Sequence, residues 1–319
     1  MIYHTIYGRD FLEGLKIPRK ISLMGLDQAG KTSILNILSR NYNLMDNQLP
    51  TAGIERHEIK ILGIPIINWD FGGQESYREE YFNNLEVFEK TDSLFFVIDA
   101  LNAVRYQEAL EYYKEILLNL EKLELKPNIM VLIHKVDPNL TNTPEMLELI
   151  EEIKKLFLSN SGDNTISFFI TSIFDRRSII DAFSKNLQEL ISELKPFRKI
   201  LETIALLLKL DAAILFDEDL MILSEFYKNN VIEEICLNII YNSVYYINNA
   251  NPKLAENFPA KFELVLNVKN RMKVFSFMEV TFRGWTLYLL TMGDDIIDHQ
   301  DIIARFDSMS HIFDNREDL

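Results

Sequence analysis

Cysteine is nearly absent from this sequence. Cys236 is the one cysteine among 319 residues, so no disulfide can form between two of these residues. This composition is typical of a reducing compartment and argues against a small secreted domain held together by disulfides. Long apolar runs and a secretory signal pattern are missing too, so we expect no membrane-spanning helix and a cytoplasmic location.

Positive charge is scarce as well. The chain has 33 lysines and arginines against 48 aspartates and glutamates, which gives a net charge of −15. Nucleic acids and anionic membranes are bound through clustered Lys and Arg, so we expect neither nucleic-acid binding nor direct membrane insertion. Ile2 and the ending at Leu319 fit neither N-myristoylation nor prenylation. We therefore expect any membrane contact to be peripheral and made through a scaffold partner.

What the sequence does contain is the pattern of two domains. An apolar content of 48% and a charged content of 25% are those of a globular protein, and the length is sufficient for two cores. Across residues 1–194 strands alternate with helices, which predicts a mostly parallel, six-stranded α/β sheet. After Lys195 and Pro196 the order α-β-β-α-β-β-β-α predicts a smaller α+β domain, residues 195–319, with a five-stranded antiparallel sheet.

The strongest motif covers residues 25–32. Their sequence, GLDQAGKT, fits the phosphate-binding pattern G-x-x-x-x-G-K-[ST] between a predicted strand and a predicted helix. The glycines let the backbone curl so that N–H groups point at an anion, and the helix adds the positive end of its dipole. Lys31 is expected to reach the β- and γ-phosphates, and the Thr32 hydroxyl to hold Mg²⁺. An ordinary glycine turn is the alternative, but it leaves the later motifs unexplained.

Two later segments supply the rest of a magnesium and γ-phosphate site. Thr51 lies in a predicted loop, where its hydroxyl would complete the Mg²⁺ shell only with GTP; a loop threonine bonded to its own backbone is the alternative. Asp70 would meet Mg²⁺ through water at the end of its strand. The N–H of Gly73 would approach the γ-phosphate, and Gln74 would orient the attacking water. The predicted phosphate contacts are Gly25, Asp27, Gln28, Ala29, Gly30, Lys31, Thr32, Ser33, Thr51 and Gly73.

A third set of residues predicts selectivity for guanine. The Asp137 carboxylate can accept two hydrogen bonds from guanine N1–H and the 2-amino group, a donor pair that adenine lacks. Lys135 would lie along the base. His134 stands where most such proteins have Asn; it either bridges the base to the phosphate loop or is a polar strand-end residue without ligand contact. The backbone N–H groups of Ser172 and Ile173 would meet the guanine carbonyl.

In this combination the motifs resemble the Rag/Gtr family of GTPases. The likeness rests on residues 134–137, His-Lys-Val-Asp in place of Asn-Lys-x-Asp, and on residues 168–175, FFITSIFD. Residues 182–185 and 213–217 resemble the RagC/D branch more than the RagA/B branch. The resemblance implies a roadblock-type, longin-like second domain that forms a homodimer, or a heterodimer with a related Rag-like GTPase. It also implies roadblock or longin scaffold proteins, a GTPase-activating protein and a role in nutrient signalling.

The phosphate and switch segments are instead similar to the Arf family. This holds for residues 25–32, 49–53 and 70–75. A lipidated Arf-like membrane switch is therefore an alternative, although residues 1–19 have no glycine in second place and no clean apolar face. Asp27 stands where Ras-type proteins have glycine, and its carboxylate would either block an incoming arginine or pair with it.

The function expected from these motifs is a guanine-nucleotide switch with GTP or GDP and Mg²⁺ bound. No general base or internal arginine finger is apparent, so unaided GTP hydrolysis should be slow, on the order of 10⁻⁴ to 10⁻² s⁻¹. A dimerisation scaffold that keeps its nucleotide without hydrolysing it is the main alternative; Gln74 and Thr51 favour the enzyme. The apolar helix predicted for residues 231–248 is either core or part of a dimer interface.

Overall fold

The computed structural model describes residues 18–38, 53–61, 64–217, 220–244, 261–268, 271–282, 285–296 and 298–309. These residues form two compact units, which divide between Asn186 and Leu187. Thr51 and most of the loop predicted around it lie outside the described residues. No helix in the described ranges is long and apolar enough to cross a bilayer.

The first unit is built on a six-stranded sheet with the strand order β2-β3-β1-β4-β5-β6. Only β2 and β3 pair in antiparallel fashion, while the other four neighbouring pairs are parallel. This confirms the mostly parallel sheet predicted from the alternation of strands and helices. The strands are β1 (Arg19–Met24), β2 (Ile54–Ile61), β3 (Ile64–Phe71), β4 (Ser93–Asp99), β5 (Asn128–His134) and β6 (Ile166–Thr171).

Helices connect the parallel strands of this sheet. The parallel direction brings the carboxyl ends of β1, β3, β4, β5 and β6 to one edge, where ligands of such folds bind. Apolar runs predicted β4 and β5 because strands covered on both faces need no polar side, and all but one residue of each is buried. The helices are α1 (Lys31–Leu38), α2 (Glu75–Asn83), α3 (Tyr106–Lys122), α4 (Pro144–Leu158) and α5 (Arg176–Leu190), with short 3₁₀ turns at Leu85–Phe88 and Ala103–Arg105.

Aromatic rings tie α3 and α4 to the sheet. The ring of Phe96 on β4 lies 5.2 Å from that of Tyr113 and 5.5 Å from that of Phe157, measured between centroids. Tyr113 and Phe157 also contact each other, at 5.0 Å, and all three rings are fully buried. The Tyr113 hydroxyl shares a 2.8 Å hydrogen bond with Ser161, so its polar end is not left unpaired in the core.

The second unit has the predicted element order and a five-stranded sheet with the strand order β8-β7-β11-β10-β9. Every neighbouring pair in it is antiparallel, as predicted. Pro196 lies in the first turn of α6, where a missing N–H costs no helical hydrogen bond. The elements are α6 (Lys195–Leu207), β7 (Ala212–Phe216), β8 (Ile222–Tyr227), α7 (Asn230–Asn238), β9 (Lys261–Val268), β10 (Arg271–Phe282), β11 (Trp285–Gly293) and α8 (His299–Met309).

The helix predicted for residues 231–248 needs a correction. Its α-helical part ends at Asn238, and Ile239–Val244 continues as a π-helix, in which hydrogen bonds span five residues. Residues 245–248 lie outside the described ranges. Cys236 and Ile240 are fully buried, which favours the core interpretation for that face of the helix.

Candidate nucleotide-binding site

The phosphate loop follows β1 and depends on two glycines. Gly25 has φ +147° and Gly30 has φ +102°, a region that favours glycine. A Cβ on Gly25 would lie 2.3 Å from the carbonyl oxygen of Val97 in β4, so this part of the loop passes directly over the next strand. A Cβ on Gly30 would lie 2.5 Å from Cδ2 of His134. Both glycines of the motif are therefore required by close packing as well as by conformation.

Lys31 points back into this loop. Its ammonium group donates hydrogen bonds to the carbonyl oxygens of Gly25, at 3.0 Å, and Leu26, at 2.8 Å. Burial lowers the pKa of Lys31 to about 8, with Asp70 and Asp27 opposing the shift. A cation that has lost most of its hydration is positioned where the motif predicts the phosphates, and an anion there would stabilise its charged form.

The predicted magnesium residues that the structure describes lie together. Thr32 Oγ1, in the first turn of α1, donates a 2.5 Å hydrogen bond to Oδ2 of Asp70 near the end of β3. Asp70 is fully buried because β3 lies between β1 and β2 in the sheet. A hydroxyl and a carboxylate are hard oxygen donors, the ligand type that Mg²⁺ prefers, so these residues fit that ion.

The segment after Asp70 packs on the phosphate loop. The Asp27 N–H donates to the Gly73 carbonyl oxygen at 3.1 Å, and a Cβ on Gly73 would lie 2.2 Å from the Asp27 nitrogen. Gln74 is exposed and holds the N-cap position of α2, where its side chain makes no capping hydrogen bond. The remaining predicted phosphate residues differ in burial: Gln28 is exposed, Ser33 is half-buried and Ala29 is buried.

His134 ends β5 and contacts the phosphate loop. Its Nδ1 lies 2.9 Å from Oγ1 of Thr171 at the end of β6, and its ring packs on Gly30. Burial lowers the pKa of His134 to about 4, because the imidazolium form would lose its hydration, so the ring is neutral at physiological pH. A bridge between the base and the phosphate loop requires two contacts of His134, and the structure shows the one with the loop.

Hydrogen bonds orient the residues predicted to bind the base. Lys135 has φ +67°, and its ammonium group lies 2.7 Å from Oδ2 of Asp99, the last residue of β4. The Ser172 hydroxyl donates a 2.6 Å hydrogen bond to Oδ1 of Asp137. The backbone N–H of Ser172, which is predicted to meet the guanine carbonyl, donates to Oγ of Ser178 in this structure. Ile173 follows it in the same loop.

Sequence reasoning missed one charged group at this site. Arg105, in the 3₁₀ turn after β4, lies 2.7 Å from Oδ1 of Asp27 through its Nη2 atom. The guanidinium pairs with a carboxylate of the loop, so the expectation that the chain has no internal arginine finger for hydrolysis stays a prediction. Sequence order gives the approximate position of Arg105, because it follows a buried strand whose carboxyl end meets the same edge as β1, but it does not give the pairing with Asp27.

Comparison with known proteins gives a family match and several relatives. The family model described as the Gtr1/RagA G protein conserved region matches residues 20–268. GTP-binding protein GTR1 of Saccharomyces cerevisiae is 28% identical over 209 residues, which cover 60% of this chain and 65% of that protein. Ras-related GTP-binding protein C of Homo sapiens is 29% identical over 206 residues, which cover 62% of this chain and 50% of that protein.

An Arf-like relative and a solved structure are also similar. ADP-ribosylation factor-like protein alp41 of Schizosaccharomyces pombe is 34% identical over 137 residues, 43% of this chain and 69% of that protein. The Arl6 small GTPase of Trypanosoma brucei, solved with the nucleotide analogue GppNp, has 18% identity and a TM-score of 0.44, covering 55% of this chain and 98% of that one. The chain spans between half and about two-thirds of the length of these curated relatives.

Proposed function

Since this chain belongs to the Gtr1/RagA family of G proteins, we propose that it is a switch that binds GTP or GDP with Mg²⁺ and slowly hydrolyses GTP. The observation that carries this proposal is the convergence of four segments at one sheet edge: the phosphate loop, Asp70, His134 to Asp137, and Ser172. Phosphate, metal and base functions each have suitable donors and acceptors there.

Each of these segments would bind a different part of the nucleotide. The loop N–H groups and Lys31 hold the phosphates, with contacts from Gly25 to Ser33. Thr32 would hold Mg²⁺ through its hydroxyl, Asp70 through water, and Thr51 when GTP is present. When bound, Mg²⁺ neutralises charge on the β- and γ-phosphates. Asp137 accepts from guanine N1–H and the 2-amino group, Lys135 lies along the base, and Ile173 N–H meets the guanine carbonyl.

The hydrolysis step relies on Gln74. It follows Gly73, whose backbone packs on the phosphate loop, and its exposed side chain would hold a water in line with the γ-phosphorus. The water oxygen bonds to phosphorus while the bond to the β–γ bridging oxygen breaks, which yields GDP and phosphate. A glutamine orients water without acting as a strong base, so turnover is slow until a GTPase-activating protein binds.

Switching follows from the same contacts. Thr51 would complete the Mg²⁺ shell, and the Gly73 N–H would meet the γ-phosphate, only when GTP is bound, so the segment from Gly73 into α2 would differ between the two states. Loss of the γ-phosphate removes both contacts, and a partner distinguishes the two states through these surfaces.

Residues 195–319, which lie in the second unit, are proposed to be a roadblock-type domain that forms the dimer interface. Two edge strands, β8 and β9, flank its sheet, and exposed edges are the usual place where sheets extend or helices dock. We propose a dimer with a second copy or a related Rag-like chain, and a cytoplasmic protein reaching a membrane through a scaffold. Size-exclusion light scattering at micromolar concentration tests this; a monomer mass would contradict the dimer and leave the switch intact.

A scaffold that retains its nucleotide without hydrolysis is the second candidate function. The Arg105–Asp27 ion pair favours the scaffold in one respect. Because Arg105 already pairs with the Asp27 carboxylate, an arginine from an activating protein would find no free carboxylate there. Single-turnover hydrolysis of GTP by the purified chain separates the two. Measurable, Mg²⁺-dependent loss of GTP supports the enzyme, and GTP that stays intact over many hours supports the scaffold.

A further inference from the structure

Arg105 forms an ion pair with a residue of the phosphate loop. Its Nη2 lies 2.7 Å from Oδ1 of Asp27, and its Nη1 lies 3.4 Å from the Asp27 carbonyl oxygen. Both side chains are 29% exposed, so the pair is partly shielded from water. Such shielding strengthens charge interactions relative to those of a fully hydrated surface pair.

Asp27 lies at the end of the loop where the γ-phosphate is expected. Its backbone packs on Gly73, the residue whose N–H the proposed function assigns to that phosphate. A carboxylate next to a terminal phosphate is unfavourable, because like charges repel across a short distance in a partly buried site. The repulsion affects GTP more than GDP, since GDP ends one phosphate earlier.

A second carboxylate, in addition to that of Asp27, holds the Arg105 guanidinium in place. Glu108, in the first turn of α3, accepts hydrogen bonds from Arg105 Nε at 2.9 Å and from Arg105 Nη2 at 3.1 Å. The same carboxylate accepts a 2.6 Å hydrogen bond from Arg78 of α2, the helix whose N-cap residue is Gln74. Arg78 lies over the Tyr112 ring, with 5.2 Å between its Cζ atom and the ring centroid. The four charges alternate in sign from the phosphate loop to α2.

We propose that Arg105 is a positioning residue for GTP: it neutralises Asp27 and fixes the carboxylate so that the site accepts a γ-phosphate. This inference rests on the proposed nucleotide switch and concerns the preference between its two nucleotides. A glycine at position 27 would bring no negative charge to the site. Asp27 does, and Arg105 of the same chain compensates that charge. Glu108 and Arg78 keep the guanidinium in that position.

The test compares the dissociation constants of GTP and GDP, at one Mg²⁺ concentration, for four variants and the natural chain. In Arg105→Gln, Asp27 loses its partner, and GTP affinity is expected to fall about tenfold relative to GDP affinity. Adding Asp27→Asn to Arg105→Gln removes the repelling charge and is expected to restore the natural ratio. Asp27→Asn alone is expected to leave the ratio equal or shifted toward GTP.

A matched control is available in the second unit. Arg198→Gln removes an arginine whose exposed partner, Glu202, lies 3.1 Å away, and it should not change the ratio. An unchanged ratio in Arg105→Gln, including one in which both affinities fall equally, would overturn the inference. A double variant that fails to restore the ratio would overturn it too. If the natural chain binds no guanine nucleotide, the proposed function itself is contradicted.

Discussion

The imidazole ring of His134 packs against the α-carbon of Gly30, so closely that a Cβ there would lie 2.5 Å from Cδ2 and 2.7 Å from Nε2. The end of β5, which leads into the predicted base-binding residues, is thereby in contact with the phosphate loop. Asn in the common pattern has a smaller side chain, so the larger histidine makes glycine at position 30 a requirement of packing as well as of φ.

The histidine makes the folded protein sensitive to acid. The pKa of His134 is lowered to about 4, while an unfolded histidine titrates near 6.5. As the pH falls from 6.5 to 4 the unfolded chain takes up a proton that the folded chain does not, so stability decreases. The free energy of unfolding should therefore fall between pH 7 and pH 5 by about 2 kcal/mol less in His134→Asn than in the natural chain. Denaturant unfolding of both proteins at the two pH values measures it; equal losses would contradict the burial argument.

Lys31 makes nucleotide binding sensitive to alkali. The pKa of its ammonium group is lowered to about 8, and bound phosphates would raise it. Above pH 8 the nucleotide-free protein must take up a proton to bind, so affinity falls as the pH rises. GDP affinity at pH 8.5 should be about fourfold weaker than at pH 7.

Titration calorimetry in buffers of different ionisation enthalpy measures both the affinity and the proton uptake. Lys31→Arg is the control, because a guanidinium stays charged throughout this range. That variant should bind more weakly but without the decline. Tighter binding by the natural chain at pH 8.5, or no proton uptake, would contradict the placement of Lys31.

Gln74 should affect hydrolysis without affecting binding. Its exposed side chain makes no capping hydrogen bond to α2, so Gln74→Leu removes no contact that the helix needs. Single-turnover hydrolysis is expected to slow by roughly 10- to 100-fold, because the attacking water loses its orientation. GTP affinity, measured in parallel, should stay within about twofold. Glu75→Gln, at the next exposed position, is the control; equal losses of binding and hydrolysis in Gln74→Leu would refute the role.

Asp137 should determine which base is bound. The Ser172 hydroxyl donates to Oδ1 of Asp137, so in Asp137→Asn the same bond would hold the amide oxygen and turn the NH₂ group toward the base. An NH₂ group can donate to the 2-oxo group of xanthine but cannot accept from the 2-amino group of guanine. GDP affinity should fall by roughly 10²-fold or more and xanthosine diphosphate affinity should rise. Competition binding measures both, and an unaltered preference for GDP would count against the assignment.

Elements with a strong local signal were predictable to the residue. For α4, Pro144 occupies the first turn and the Thr143 hydroxyl accepts the N–H of Met146 at 3.3 Å, so local chemistry sets its start. The continuous apolar runs of β4 and β5 likewise matched the observed strands. The change to a π-helix at Ile239 was missed, because apolar spacing does not separate i→i+4 from i→i+5 hydrogen bonding.

Contacts between distant side chains were the other part that sequence could not supply. Asp27 and Arg105 are 78 positions apart, and their pairing depends on the adjacency of β1 and β4 and on the rotamers of both side chains. The motif draws attention to the backbone N–H of Ser172, but it does not show that the N–H donates to Ser178 and the hydroxyl to Asp137. Motif spacing identifies the residues of a site, and packing decides which of their atoms are used.

We propose above that this chain binds guanine nucleotide and converts GTP to GDP. The first measurement is the nucleotide extracted from the purified protein, followed by its turnover with and without Mg²⁺. We expect bound GDP or GTP, displacement by guanine but not adenine nucleotides, and slow Mg²⁺-dependent loss of GTP. A protein that purifies empty and binds guanine and adenine nucleotides equally weakly would contradict it.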